Sequence, residues 1–149
     1  MTVLILGLIA LIAMPLFVQS TRFYLMNRTR TELQQEARQS LSLITKNVRQ
    51  ARSTSIVISR DAGQPYYSRI TFTRIDGVTL MYRQSGGNLI ETVGARNQVI
   101  ADNLRFLCFA FPRSDDMTIL SVDITLEKGI YEGKTKALHV ASERVRVMS

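Results

Sequence analysis

The sequence predicts an α+β protein in which one long N-terminal helix, membrane-embedded in its first half, packs its second half on a small antiparallel β-sheet head. Three observations predict it. The chain opens with an uncharged apolar run from Val3 to Val18. An apolar stripe at helical spacing then continues to Ala51, with no proline or glycine between Gln19 and Ala62 to break it. Beyond Ser53 the period changes from that of a helix to that of a strand. The expected organisation is residues 1–18 as the transmembrane half of the helix, 19–52 as its amphipathic half and 53–149 as the β-rich head.

Only Gly7 and Pro15 interrupt the apolar run, and the first ionisable side chain is Arg22. A secretory signal peptide carries a charged n-region, a shorter apolar stretch and a small-residue cleavage site. None of these is apparent, so the run reads as a retained membrane segment. At 1.5 Å per residue, Met1 to Val18 covers roughly 27 Å, slightly less than a hydrocarbon core of about 30 Å. Beyond it, Phe23, Met26, Leu33, Ala37, Leu41, Ile44, Val48 and Ala51 recur at steps of three or four, apart from a gap filled by Arg30. That is one helical face. Seven basic side chains against Glu32 and Glu36 give this half +5 of the chain's +7, which reads as a solvated face. A one-sided stripe and a one-sided sheet cover each other in two layers, so Leu33 to Ala51 is assigned to the head. The stretch from Gln19 to Thr31 is left with nothing in its own chain to cover it.

Six or seven strands are expected after Ser53. Ile56 to Ile58 is a short β-branched run, and Ser68 to Arg74 alternates. Ile75-Asp76-Gly77 is a hairpin signal leading into Val78 to Arg83, and Ser85-Gly86-Gly87-Asn88 turns the chain into Leu89 to Val93. Leu104 to Phe111 is apolar on both faces except at Arg105, as in a strand covered on both sides. Ile119 to Leu126 alternates, with Leu120, Val122, Ile124 and Leu126 on one face. The last strand, Leu138 to Val147, places Leu138, Val140, Val145 and Val147 together only if Ser142 and Glu143 form a bulge or slip.

Chemistry-bearing residues are sparse. Cys108 is alone in an apolar stretch, which suits a buried inert thiol. His139 has no second histidine or cysteine near it, so neither zinc nor Cys-His chemistry has its usual spacing. Asp115 and Asp116 read as a solvated turn and not as a calcium cage. Gly86-Gly87 lacks the following helix start and Lys-Ser/Thr of a phosphate loop. Asn27-Arg28-Thr29 is a weak glycosylation sequon because it lies in a helix. No catalytic residue, metal ligand or cofactor site is expected. Outside the helix the head carries 12 basic and 10 acidic side chains, and no aromatic is interleaved with a basic cluster, so nucleic acid is not an expected partner despite a pI near 10.1.

Gly7 and Pro15, eight residues apart in an apolar half-helix that runs into an amphipathic half and then a small antiparallel head, resemble the type IV pilin and type II secretion pseudopilin family. The match places Met1 several residues inside the usual mature chain, so the family's leader, cleavage glycine and Phe-Thr-Leu-Ile-Glu-Leu motif fall outside this sequence. The other register makes Met1 the mature N-terminus, with Ile5 where the family has glutamate. The first is preferred because it accounts for both the short span and the missing glutamate. The text Leu33-Gln34-Gln35-Glu36-Ala37-Arg38, then Lys46 to Ala51, then Ile100 to Phe106, Ser121 to Leu126 and Glu143 to Val147, is similar to the J-type minor pseudopilins and W-type minor pilins.

The resemblance implies a non-enzymatic subunit. Its helix would be stored in the inner membrane, surrounded by lipid, and then packed against other pilins or pseudopilins in a filament or its tip. The head would lie in the periplasm or outside the cell, free to meet a secreted substrate or surface ligand. Gly7, Pro15, Phe17, Phe23 and Met26 would form the assembly helix, and Leu33, Ala37, Leu41, Ile44, Val48 and Ala51 would hold the head. Arg22, Arg28 and Arg30 depart from this picture, since the positive-inside rule alone puts them in the cytoplasm. The alternatives are a single-pass anchored binding or sensor module, in which the 33–51 stripe would be a signalling coiled coil, and a DNA-uptake pilus subunit.

Overall fold

The computed structural model describes residues 2–131 and 135–148. Helix α1 (Thr2–Arg49) runs unbroken for 48 residues through Pro15, a length of roughly 72 Å. Thr21, Thr31 and Ser40 donate their hydroxyls to the carbonyls of Phe17, Asn27 and Glu36, at 3.0, 2.9 and 2.8 Å, so these weak helix formers spend their polarity inside the helix. Lys46 and Arg49 occupy the last turn, where cations complement the helix dipole. The helix ends as Gln50 and Ala51 bond three residues back, to Asn47 and Val48, at 3.1 and 3.0 Å, the tightened geometry of a terminal turn.

The head contains two antiparallel sheets where one was expected. The first has the order β1 (Val57–Ser59), β2 (Arg69–Thr73), β3 (Thr79–Ser85), β4 (Asn88–Val93), β5 (Arg96–Ala101); the second has the order β6 (Leu104–Ala110), β7 (Ile119–Ile130), β8 (Thr135–Arg146). Both predicted hairpins form, with Thr73 opposite Thr79 around Asp76-Gly77 and Ser85 opposite Asn88 around Gly86-Gly87. Gly77 and Gly86 take φ of +84° and +58°, which explains their place in these turns.

One strand was not expected, and two expectations for the final strand need correction. Strand β5, which pairs with β4 along Glu91↔Gln98, carries no alternation of its own: Arg96, Asn97 and Gln98 are exposed, and only Ala101 at its end is buried. The final strand has no bulge at Ser142 and Glu143; it pairs with β7 in one continuous register from Ile119↔Arg146 to Ile130↔Thr135. Unbroken alternation puts Ala137 and Val145 inward and leaves Leu138 and Val140 on the outer face, 50% and 62% exposed. The register shifts lie elsewhere, at Leu89/Ile90 and Leu104/Phe106.

The core is one continuous cluster joining α1 to both sheets, with Phe72, Tyr82 and Leu89 from the first and Leu107, Phe109, Leu120, Val122, Ile124 and Leu126 from the second. Two buried polar groups give it register. Asn47 donates to the Tyr82 hydroxyl at 2.6 Å, and that hydroxyl donates to Glu91 Oε1 at 2.5 Å. Gln84 accepts from the Leu107 amide at 3.1 Å and donates to the Arg105 carbonyl at 3.2 Å, so one side chain of the first sheet completes backbone bonding at the edge of the second. Burial and the hydrogen bond to Glu91 push the Tyr82 hydroxyl well above its ordinary value, which keeps it neutral and a donor.

Candidate assembly interface

From Val3 to Val18 every described apolar side chain of α1 is exposed. Val3, Leu11, Met14 and Phe17 are between 76% and 80% exposed, and a Cβ on Gly7 would meet nothing within 4 Å beyond the helix's own neighbouring backbone. Pro15 sits inside the helix without ending it; it supplies no amide hydrogen to the turn before it. Among the described residues this is the one helix long and apolar enough to cross a membrane.

The segment after the apolar run is not bare, contrary to expectation. Phe23 and Tyr24 are exposed, but Leu25 and Met26 are half-buried against the core. The cover comes from the paired ends of β7 and β8. Ile130, Tyr131 and Thr135 face Gln19, Arg22, Phe23 and Met26 across a groove of about 360 Å³, and the Arg22 guanidinium lies 5.3 Å from the centroid of the Tyr131 ring. Sequence reasoning missed this because it ended the strand at Leu126; Glu127 to Ile130 lack clear alternation, and the strand continues only because β8 pairs with it.

Leu33, Ala37, Leu41, Ile44, Val48 and Ala51 are all buried, none more than 5% exposed. The acidic side chains of this half are not simply solvated. Glu36 accepts from the Asp102 amide at 2.6 Å, and Glu32 accepts from Lys128 at 3.2 Å and from Arg28 at 3.2 Å. Their only sequence signal was that they alone among nine charges are negative.

Cys108, Asp115 and Asp116 are engaged locally. Cys108 is half-buried, and burial, followed by the neighbouring Asp123 charge, raises its thiol. Asp115 pairs with Arg113 at 2.9 Å, and Asp116 accepts from the Thr118 amide and hydroxyl at 3.0 and 2.5 Å. Among the described residues no three metal-ligating side chains come together. At the end of the head away from the apolar half-helix, Ile58, Tyr67, Phe109, Phe111 and Met117 line a second groove of about 490 Å³, with Arg60 stacked 4.4 Å from the Tyr67 ring centroid.

Carboxylates bound to cations set the acid response. Glu127 bonds Lys136 at 2.6 Å and also Arg105, and these bonds hold it below its ordinary 4.5. Hydrogen bonds from Lys128 and Arg28 lower Glu32, and those from Thr118 lower Asp116 below its ordinary 3.8. A depressed folded value contributes stability that is present above the unfolded value and lost as pH falls through the folded one. The urea midpoint of the full chain in mild detergent should therefore stay level from neutrality to about pH 5 and fall below it, and Glu127→Gln should flatten that fall. A midpoint that rises on acidification would show that these pairs do not hold the head.

No family model matches this chain, and no curated protein or solved structure matches it either.

Proposed function

We propose that this chain is a minor pilin or pseudopilin subunit, anchored by α1 in the inner membrane and packed through that helix into a type IV pilus, a type II secretion filament or the tip of either, with its head on the extracytoplasmic side. A long N-terminal helix on antiparallel sheet is compatible with the pilin-like fold. The observation that carries the reading is the division of one continuous helix: its second half is built into the core, while every described side chain from Val3 to Ser20 is exposed. Lipid can hide that surface before assembly, and neighbouring helices can replace lipid in a filament. Small residues at Gly7 and Ala10 permit the close approach that membrane helices use.

A single-pass sensor needs the 33–51 stripe as a free coiled-coil seam. Its burial on the chain's own sheets speaks for the subunit reading instead. Photo-crosslinkers placed at Leu8, Ile12 and Phe23 in cells should trap N-terminal helices of other pilin-like subunits. Recovery of lipid alone, or of a transmembrane signalling kinase, would reject the proposal.

A further inference from the structure

We propose that the groove between α1 and the paired ends of β7 and β8 is a binding site for the headgroup region of an anionic phospholipid. The inference rests on reading Val3 to Val18 as a membrane segment. Depth is the first argument. At 1.5 Å per residue, Arg22 lies roughly 6 Å and Met26 roughly 12 Å beyond Val18 along the helix, while the headgroup layer on each side of a bilayer is about 5–8 Å thick. The Gln19 to Phe23 end of the groove thus lies within that layer, and Met26 lies just beyond it.

Its chemistry fits that level. Phe23, Met26 and Ile130 give an apolar wall with Gln19 at its edge, and Arg22 stands over it beside the Tyr131 ring. Among the described residues no carboxylate pairs with Arg22, whereas Arg28 is engaged by Glu32. Arginine can stack on an aromatic face and present its N–H fork to a phosphate, the geometry for which it is best suited. Tyr24, 65% exposed on the same stretch of helix, adds to the aromatic residues that favour this depth. At about 360 Å³ the groove holds a glycerol backbone and the first methylenes of a chain and not a whole lipid.

The test uses the full chain in phosphatidylcholine nanodiscs containing a trace of photoactivatable phosphatidylglycerol or photoactivatable phosphatidylcholine, with adducts mapped by peptide. Adducts should concentrate at Phe23, Met26 and Tyr131 and be about fivefold more abundant for phosphatidylglycerol, the factor one interfacial basic side chain supplies. Arg22→Gln should bring the two lipids level, and Tyr131→Ala should reduce both. Arg30→Gln should change nothing, since Arg30 lies roughly 18 Å past Val18, beyond the reach of surface charge at physiological salt. Equal yields for the two lipids in the wild type would overturn the proposal, as would equal losses in Arg22→Gln and Arg30→Gln. Release of the chain from membranes by alkaline carbonate would instead remove the membrane reading, and the lipid site with it, whereas loss of subunit crosslinks at Leu8 and Ile12 alone would leave the lipid site standing.

Discussion

Val48→Asp is expected to abolish the folded head. Val48 is fully buried between α1 and the sheets, one turn from Ile44 and one turn from the bonds that fasten the end of the helix. A carboxylate there would be taken out of water with no cation to meet it, a cost of several kcal/mol against a total stability of about 5–15 kcal/mol. Circular dichroism of the full chain in mild detergent should show the strand signal lost and the urea transition absent. Phe23→Asp makes the contrast, since Phe23 is 69% exposed: its urea midpoint should equal that of the wild type while crosslinking to other subunits falls. A normal transition in Val48→Asp would mean that the helix does not seat on the head by this face.

The second large effect is that of Phe72→Ala. Phe72 is fully buried in β2, opposite Leu80, with its ring centroid 6.1 Å from that of Tyr82 in a stacked arrangement. Removing the ring leaves a cavity under the first sheet, and replacements of this kind cost about 3–5 kcal/mol. It also strips one wall from Tyr82, whose hydroxyl links Asn47 of the helix to Glu91 of β4. Stability and helix–sheet register should therefore fall together, seen as a lower urea midpoint and faster exchange of the Tyr82 and Glu91 amides. Val57→Ala on the exposed edge strand should shift the midpoint little. An effect of Phe72→Ala no larger than that of Val57→Ala would contradict the placement of the core.

What could be read without coordinates follows from period and sign. The stripe from Leu33 to Ala51 was legible because six buried positions share one helical face, and the two glycine hairpins because only certain turns tolerate positive φ. The division into two sheets was not, because the pairing of β6 with β7 and the bonding of Gln84 to the β6 backbone join residues far apart in sequence and leave no local mark. The final strand was misread for a related reason. Leu138 and Val140 looked like core residues, yet the partner strand decides which face points inward, and small Ala137 took the inner place. In the candidate interface, the apolar run and Phe23 announced themselves, while Tyr131 did not, since its meeting with Arg22 joins residues far apart in sequence.

Rotation about the long axis is the consequence of how α1 ends. The Arg52 amide donates to the Thr73 carbonyl at 3.0 Å, Ile75 to Gln50 at 2.9 Å and Met148 to Arg49 at 3.3 Å, so both sheets grip the helix and the head has no swivel. The direction in which the head faces is therefore geared to the azimuth of the helix, and each residue of helix is a step of about 100°. One residue added between Val18 and Arg22 would turn the apolar half through that angle relative to the head and move it by only about 1.5 Å. Seven added residues would restore the phase to within about 20° while displacing the head by roughly 10 Å. Chain length in this segment thus acts as an angular setting, and the number of residues there, more than their identity, decides which side of the head a neighbour would meet.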